Sequence, residues 1–416
     1  PDLKLSNQTR YSQNGRESIV TTPGTNAASY DPATGLLTRS RQANKRDTDI
    51  LSNQTNVTGD FATGSIKHDV AGGLELTRET AYSPAFTSTA EAPIPIQSPH
   101  PNGTPTATPF RSNAYTDATT KTAAVYAFDT LKFSEHWQAN LSARAENYQT
   151  NYLSVATTLV PTTAEAKDTL FSWKTGLVYK PVTVGSIYIA YDNSMTPPGT
   201  DFTLSTVAGN QNNPSTEPQK TISSELGVKW EFFRGKLITT AALFKTVNDN
   251  TVFTDPILGA IPTGKQTVQG LELGATGKIT DDWLVIGSFS YLDSKIDNGI
   301  TSGNNLAGAS LPLIPTYSGN LWTSYQLPNQ LIIGGGSQYF GGAKRRDASI
   351  SNAPRDLPSY WLFNALVAYP LTRHVNIRLN VNNVFDEKYV QSYNNNGARF
   401  SPGAPRSYLV SADFKY

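Results

Sequence analysis

The sequence has no cysteine, one methionine and four histidines in 416 residues. Without cysteine there can be no disulfide framework, no thiolate metal site and no thiol nucleophile. The histidines are scattered, and none has a partner at a spacing typical of metal ligands: His68, His100, His136 and His374. No serine–histidine couple is indicated either. We therefore predict no catalytic residues, no metal site, no cofactor and no enzymatic activity.

Long apolar runs are also missing. WLVIG (283–287) and LIIGG (331–335) are about the longest, whereas a membrane helix needs ~20 consecutive apolar residues. A helical membrane protein is therefore excluded, but a transmembrane β-barrel is not, because its strands need only ~10 residues of alternating polarity. The net charge of +1 gives no bulk attraction to nucleic acid, so we expect no nucleic-acid partner.

Alternating polarity runs along the whole chain. In 221–232 one face carries Ile222, Leu226, Val228, Trp230 and Phe232, and the other face is mostly polar. The last stretch, RSYLVSADFKY (406–416), alternates in the same way up to its aromatic end. Such patterning predicts strands with one face in an apolar medium and the other in a polar one.

The connections alternate between short turns and long polar segments. Short turns are predicted at Asn14-Gly15, Thr63-Gly64, 134–135, 180–185, 234–235, 280–282, 328–329 and 371–372. Long connections are predicted at 22–46, 81–120, 152–167, 195–217, 248–264, 297–315, 342–357 and 386–404. Outer-membrane barrels have short turns at one rim and long loops at the other. We therefore predict an all-β transmembrane antiparallel β-barrel over residues 1–416, with about 17 strands in this chain. A soluble propeller or β-helix is the alternative, but no matching internal repeat is present.

Several motifs, in order, resemble the C-terminal part of a TonB-dependent siderophore receptor. They are EPQKTISSELGVKW (217–230), GKLITTAALFKTVNDN (235–250), QGLELGATGKITDDWLVIGSFSYLDSKI (269–296), NLWTSYQL (320–327), IGGGSQYFGG (333–342) and LNVNNVFDEKY (379–389). The stretch NNNGARFSPGAPRS (394–407) is most similar to the catecholate siderophore receptor branch. The resemblance implies a Gram-negative outer-membrane protein in contact with lipid and lipopolysaccharide. It also implies import of a ferric siderophore, with energy from the TonB-ExbB-ExbD complex.

The resemblance further implies parts that this sequence does not show. Barrels of about 22 strands carry a plugged lumen, and neither the N-terminal plug nor the first strands are visible here. We therefore expect an incomplete record of a longer protein, with a natural 17-stranded open barrel as the alternative. TonB would act through the missing N-terminal region. The last strand is expected to pair with the first and so leave no free edge.

The chemistry of the ligand selects candidate binding residues. A ferric tris-catecholate is a trianion with aromatic edges, so Arg or Lys and aromatic side chains should recognise it. Three predicted external loops supply them: Arg39 and Arg41, then Arg345 and Arg346, then Tyr393, Arg399 and Phe400. These arginines could equally bridge lipopolysaccharide phosphates, and the aromatics could pack on neighbouring loops.

Other functions remain open at this stage. A passive porin would have the same strand pattern but no plug. A receptor for ferric hydroxamate, citrate, haem or cobalamin would share the family motifs. A soluble β-rich adhesin would lack a lipid-facing band.

Overall fold

The structure, a computed structural model, describes residues 3–24, 27–97, 108–207, 210, 212–255, 259–301, 304–344, 356–394 and 399–415. The strands are β1 (Lys4–Pro23), β2 (Tyr30–Asp31), β3 (Leu36–Thr63), β4 (Ile66–Thr87), β5 (Thr89–Pro95), β6 (Phe110–Lys132), β7 (Trp137–Val155), β8 (Pro161–Val182), β9 (Gly185–Thr196), β10 (Gln219–Phe232), β11 (Leu237–Asp255), β12 (Gly259–Lys278), β13 (Trp283–Asn298), β14 (Ile300–Thr301), β15 (Asn304–Asn305), β16 (Tyr317–Gln326), β17 (Ile332–Phe340), β18 (Ala343–Lys344), β19 (Asp356–Leu357), β20 (Tyr360–Pro370), β21 (Val375–Asn382), β22 (Val390–Asn394), β23 (Arg399–Pro402) and β24 (Ser407–Phe414). One 3-10 turn, Ala27–Ser29, interrupts them. In the described residues no helix is long and apolar enough to cross a membrane.

One antiparallel sheet of 18 strands contains all the long strands of the described residues. Each long strand is hydrogen-bonded to the long strand before it and to the one after it in the chain. The order is β1-β3-β4-β6-β7-β8-β9-β10-β11-β12-β13-β16-β17-β20-β21-β24. The short strands β2 and β5 attach to β3. Three further hairpins stand apart from the sheet: β14–β15, β18–β19 and β22–β23.

The two faces of this sheet differ as the alternation predicts. Large apolar side chains on one face are widely exposed, for example Ile189, Leu226, Leu243 and Leu273. The opposite face carries the polar residues of the same strands. We call the first the outer face and the second the inner face. An exposed apolar band of this kind is typical of a surface that faces lipid.

One predicted turn is wrong, and this changes the strand count. Asn14 and Gly15 lie inside β1, where they pair with Thr48 and Asp47 of β3. The expected count of about 17 divided β1 into two strands, whereas the sheet formed by the described residues has sixteen long strands besides β2 and β5. Since β1 enters the long connection before β3, it runs towards the long-loop rim rather than away from it.

Several predicted long loops are in fact strand. The segment 152–167 is reduced to a five-residue connection between Val155 and Pro161. The second part of 22–46, from Leu36 onwards, belongs to β3, and β4, β5 and β6 occupy much of 81–120. These segments have the polar composition of loops because the strands are long and continue beyond the part that the membrane covers.

The predicted closing contact between the first and last strands is not formed. In the described residues β1 is bonded to β3 alone, and β24 is bonded to β21 alone. The terminal stretch is nevertheless a strand, as predicted, and Ser407–Phe414 pairs with the full length of β21. Tyr416 lies outside the described residues.

Three histidines link neighbouring strands at the short-turn rim. His136 Nδ1 lies 2.7 Å from the Lys180 carbonyl oxygen, and His374 Nδ1 lies 3.0 Å from the Lys415 carbonyl oxygen. His68 lies between the Thr63 hydroxyl at 2.6 Å and an Asp129 carboxylate oxygen at 2.7 Å. These contacts fasten adjacent strands, so the rim has fixed geometry. His100 lies outside the described residues.

Candidate ligand-binding site

The connection between β9 and β10 folds inwards across the sheet. Residues 197–207, which we call the strap, begin with Pro197, Pro198 and Gly199, and all three are buried. Gly199 has φ +83°, which glycine adopts without steric cost. Leu204 packs back on this turn: a Cβ at Gly199 would lie only 2.7 Å from Leu204 Cδ2. The strap is therefore held as a compact turn.

A floor of small inner-face residues supports the strap. Thr150 of β7 has no exposed surface, and a Cβ at Gly199 would lie 3.5 Å from its methyl group. In register beside Thr150 lie Thr120 and Ala166, which are also buried. Small side chains here let the strap approach the wall closely, and larger ones would exclude it.

A chain of hydroxyl groups connects this floor to the backbone of the strap. The Tyr148 hydroxyl lies 3.4 Å from the Pro198 carbonyl oxygen, and the Thr150 hydroxyl donates to Tyr148 at 2.7 Å. Thr120 and Thr150 share a further hydrogen bond of 2.8 Å. Buried hydroxyl groups that are satisfied in this way stabilise one arrangement of the wall and the strap.

Arg46 of β3 holds the middle of the strap. Its Nη2 donates to the Asp201 carbonyl oxygen at 2.7 Å, and its guanidinium carbon lies 5.1 Å from the centre of the Phe202 ring. Because β4, β6, β7 and β8 separate β3 from β9, the strap crosses the inner face of four strands to reach Arg46. Beyond the strap, the Asn212 side-chain amide folds back and donates to both carboxylate oxygens of Asp201.

A second arginine lies directly opposite Arg46 on the inner face. Arg16 of β1 and Arg46 are register partners. In the described part of the chain, neither arginine forms an ion pair with a carboxylate. Like charges directly opposite each other destabilise a strand pair by ~0.2–1 kcal/mol. The pair therefore provides two guanidinium groups for an anion, next to the aromatic ring of Phe202.

The two predicted arginines of β3 contact protein groups. Arg39 donates from Nε and Nη2 to the Ala92 carbonyl oxygen, at 2.9 and 2.8 Å. Arg41 Nε lies 3.9 Å from a carboxylate oxygen of the buried Glu91. Both arginines are half-buried and hold β5 against β3. They lie on a strand rather than on the predicted loop.

Three of the other predicted residues belong to the β22–β23 hairpin. Tyr393 of β22 pairs in register with Phe400 of β23, and the neighbouring position pairs Asn394 with Arg399. The Phe400 side chain is exposed. Nothing in the described structure brings this hairpin against the strap. Arg345 and Arg346 lie outside the described residues.

A separate inner-face cavity of ≈ 630 Å³ opens between β7 and β12. The Tyr188 hydroxyl donates to Glu225 there, and Lys229 Nζ lies 5.7 Å from the centre of the Tyr188 ring. Its lining carries three carboxylates, Asp192, Glu225 and Glu272, against two ammonium groups, Lys174 and Lys229. This balance disfavours a trianionic ligand. In the described residues no group of three His, Asp or Glu side chains could hold a metal ion.

Arg16 and Phe202 were not selected from the sequence, whereas Arg46 is one of the basic residues of the predicted loop 22–46. The two arginines are 30 positions apart in the chain, and only the register of β1 against β3 brings them together. Phe202 reaches them because the strap folds inwards. The sequence did contain a usable signal, since PPG (197–199) interrupts the alternating pattern at the end of β9.

Known proteins share this architecture. Residues 1–384 match the family described as TonB dependent receptor-like, beta-barrel. The catecholate siderophore receptor Fiu of Escherichia coli K12 is 33% identical over 99% of this chain, which spans 58% of that relative. A probable TonB-dependent siderophore receptor of Acinetobacter baumannii, PiuA, is 27% identical and matches over 59% of its length.

Solved structures agree with these relatives. The closed form of the ferric-catecholate import receptor Fiu superposes with a TM-score of 0.91 at 32% identity, covering 99% of this chain and 62% of that one. The siderophore receptor PiuA of Acinetobacter baumannii superposes with a TM-score of 0.86 at 24% identity, which supports the fold alone. This chain belongs to the TonB-dependent receptor β-barrel family of the Gram-negative outer membrane.

Proposed function

We propose that this chain is the barrel portion of a receptor that captures a ferric siderophore at the cell surface and imports it across the outer membrane. Energy would come from the TonB-ExbB-ExbD complex of the inner membrane, acting through N-terminal parts of the whole protein. No bond of the ligand is made or broken in this function. Iron enters only as part of the siderophore complex, and the protein needs no cofactor of its own.

The opposed arginines are the observation that carries this proposal. Arg16 and Arg46 face each other on the inner wall at the long-loop end, where a ligand from outside arrives first. Phe202 adds an aromatic surface within 5.1 Å of the Arg46 guanidinium carbon. Two guanidinium groups beside a ring suit a multiply charged anion with aromatic edges. A ferric tris-catecholate has this chemistry.

The catecholate class is further supported by the relatives. One 33% identical relative is named for catecholate siderophores, and a similar solved structure is described as a ferric-catecholate import receptor. Ferric hydroxamate, haem and cobalamin are competing ligand classes. They carry less negative charge, so they would gain less from two guanidinium groups.

The residues selected from the sequence remain candidate ligand contacts in this proposal. Tyr393, Arg399 and Phe400 would meet the ligand on the β22–β23 hairpin, together with Arg345 and Arg346. For Arg39 and Arg41, ligand contact stays a prediction, although their hydrogen bond and ion pair engage part of each guanidinium group.

Binding to the full-length protein in detergent tests the proposal. We expect a trianionic ferric tris-catecholate to bind more tightly than a neutral ferric hydroxamate. Arg16→Gln and Arg46→Gln should each weaken the catecholate complex by about tenfold or more, because hydrogen bonds to charged groups contribute ~1.5–3 kcal/mol. Arg10→Gln is the matched control: Arg10 lies on the same face of β1, opposite Ser52 rather than another arginine.

Three outcomes would contradict the proposal. If both arginine variants bind the ferric catecholate as tightly as the wild type does, the proposed binding site is wrong. Tighter binding of the hydroxamate would remove the catecholate assignment. Uptake that continues in cells without TonB would instead support a passive porin.

A further inference from the structure

Three basic side chains follow one another along the inner face of β1. Arg16 lies at the long-loop end, Arg10 lies six residues closer to the short-turn rim, and Lys4 lies six residues beyond Arg10. An even spacing keeps all three on one face, because successive side chains of a strand point to opposite faces. At ~3.4 Å per residue, each step is about 20 Å. We call these three residues the basic column, and it runs from the proposed capture site towards the short-turn rim.

Strands β1 and β3 carry no negative charge on their inner faces alongside the basic column. From Lys4 to Arg16 of β1, and from Arg46 to Thr58 of β3, the inner-face residues include no aspartate or glutamate. The inner-face residues of β1 between the cations carry hydroxyl or amide groups: Ser6, Gln8, Ser12 and Asn14. The first inner-face carboxylate beyond Lys4 is Asp60 of β3, nearer the short-turn rim. The column therefore follows a polar strip that does not repel an anion.

The cations of the basic column are available to a ligand. In the part of the chain that the structure describes, none of Lys4, Arg10 and Arg16 forms an ion pair with a carboxylate. All three side chains are exposed. The strap reaches Arg46 of β3, whereas the column lies on the next strand. Their charge is therefore not spent on holding the fold together.

Another sector of the inner wall has the opposite balance of charge. Lys174 of β8 lies at the same height as Lys4, because register pairs connect the two positions through β3, β4, β6 and β7. Unlike Lys4, Lys174 is the register partner of a carboxylate, Asp192 of β9. In the cavity beside it, three carboxylates outnumber two ammonium groups. An anion inside the barrel is therefore more stable on the β1–β3 side than on the β9–β12 side.

We propose that the basic column guides the ferric siderophore along β1 after capture, so that import follows one side of the lumen. This inference rests on the proposed function. Arg16, together with Arg46, holds the anionic complex first, and Arg10 and then Lys4 attract it towards the short-turn rim. The hydroxyl and amide groups between the cations donate hydrogen bonds as the complex passes. Arg10 and Lys4 therefore act on the movement of the ligand and not on the affinity of capture.

A comparison of binding with uptake tests the basic column in the full-length protein. The probe is a trianionic ferric tris-catecholate labelled with radioactive iron. The Arg10→Gln/Lys4→Gln variant should bind this complex in detergent as tightly as the wild type does. Its TonB-dependent uptake into cells at saturating ligand should be about tenfold slower, at the low end of the effect of a charge-lined cleft on association. Arg10→Lys/Lys4→Arg keeps both charges and should import at nearly the wild-type rate.

Lys174→Gln is the matched control, because it removes an inner-face cation at the height of Lys4 in the other sector. It should leave both binding and uptake unchanged. Four results would each overturn the proposal: wild-type uptake in Arg10→Gln/Lys4→Gln, weaker binding in that variant, an equal loss of uptake in Lys174→Gln, or slow uptake in Arg10→Lys/Lys4→Arg. Failure of the proposed function is distinguishable, since the wild type itself would then not import the ferric catecholate.

Discussion

The two ends of the sheet differ in height. Strands β3, β4, β6, β7 and β8 have 28, 22, 23, 19 and 22 residues, and we call them the tall wall. Strands β16, β17, β20, β21 and β24 have 10, 9, 11, 8 and 8 residues, and we call them the low wall. A strand needs ~9–11 residues to cross a bilayer. The low wall therefore ends near the membrane surface, whereas the tall wall continues well beyond it.

The difference in strand length shows where the protein forms a buried core outside the membrane. The tall wall carries buried inner-face residues at Ala118, Thr150, Ala166 and Leu170, and the strap lies against it. The low wall instead carries its external structure on small hairpins, such as β22–β23. We infer that the tall wall and the strap form a rigid half of the ligand entrance.

Leu170→Ala should have the largest effect, because Leu170 is only 2% exposed on the tall wall. Truncating a buried leucine leaves a cavity, so we expect the free energy of unfolding to fall by ~2–4 kcal/mol. On the low wall, Leu409 of β24 is 57% exposed, so Leu409→Ala should cost less than about 0.5 kcal/mol. Urea unfolding of the full-length protein in detergent measures both. Similar losses would contradict the comparison.

Gly199→Ala should disturb the strap, whereas Gly308→Ala, in a turn without close neighbours, should have a smaller effect on its own turn. Gly199 and Gly308 have similar φ values, +83° and +87°, but only Gly199 has a close neighbour, Leu204 Cδ2 at 2.7 Å from an added Cβ. Both variants carry the backbone cost of ~1 kcal/mol, and Gly199→Ala adds a clash. We expect faster protease cleavage within 197–207 for Gly199→Ala alone. Equal cleavage of the strap in both variants would argue against tight packing.

Tyr148→Phe should have a moderate effect, since it removes the hydroxyl that bridges Thr150 and the Pro198 carbonyl oxygen. A hydrogen bond of this kind contributes ~1 kcal/mol. Tyr408→Phe is the control on β24, where the side chain is exposed. Thermal unfolding in detergent should show a lower Tm for Tyr148→Phe only. An unchanged Tm would mean that the hydroxyl chain does not support the strap.

The smallest expected effect is a change in the pKa of a carboxylate at the short-turn rim, compared with one near the long-loop rim. A hydrogen bond from Lys236 lowers the pKa of Asp281 in a short turn, and one from the Thr34 hydroxyl lowers the pKa of Asp31 near the long-loop rim. A lowered pKa contributes stability above the unfolded pKa, and this contribution is lost as pH falls through the folded pKa. It is therefore present at neutral pH and lost only in strong acid. By carboxyl NMR, Lys236→Met should raise the pKa of Asp281 and leave that of Asp31 unchanged; a shift in both would contradict this assignment.

Much of the fold could be predicted because strand alternation is a local property. The strand around 221–232 and the final strand lie where the pattern placed them. The tall wall was partly missed, because outside the membrane its strands are polar on both faces and their composition is that of loops. Asn14-Gly15 looks like a turn locally, yet β3 pairs through it.

The candidate site was less predictable, since it depends on register and on an inward fold. Arg16 faces Arg46 only because of how β1 pairs with β3, and nothing local in the sequence fixes that pairing. Arg39 was selected for its charge, but its guanidinium binds a backbone carbonyl group. The residue types expected for an anion can be chosen from its chemistry, whereas the positions of the proposed pair required the tertiary structure.

The position of the strap is the central claim, and a distance measurement tests it most directly. Because these 416 residues contain no cysteine, Thr203→Cys on the strap and Asn44→Cys on β3 would be the only spin-labelled sites in this part of the protein. Pulsed electron resonance of the full-length protein without ligand should give one narrow, short distance, which broadens and lengthens when Arg46→Gln is added. A broad or long distance before that substitution would contradict the account.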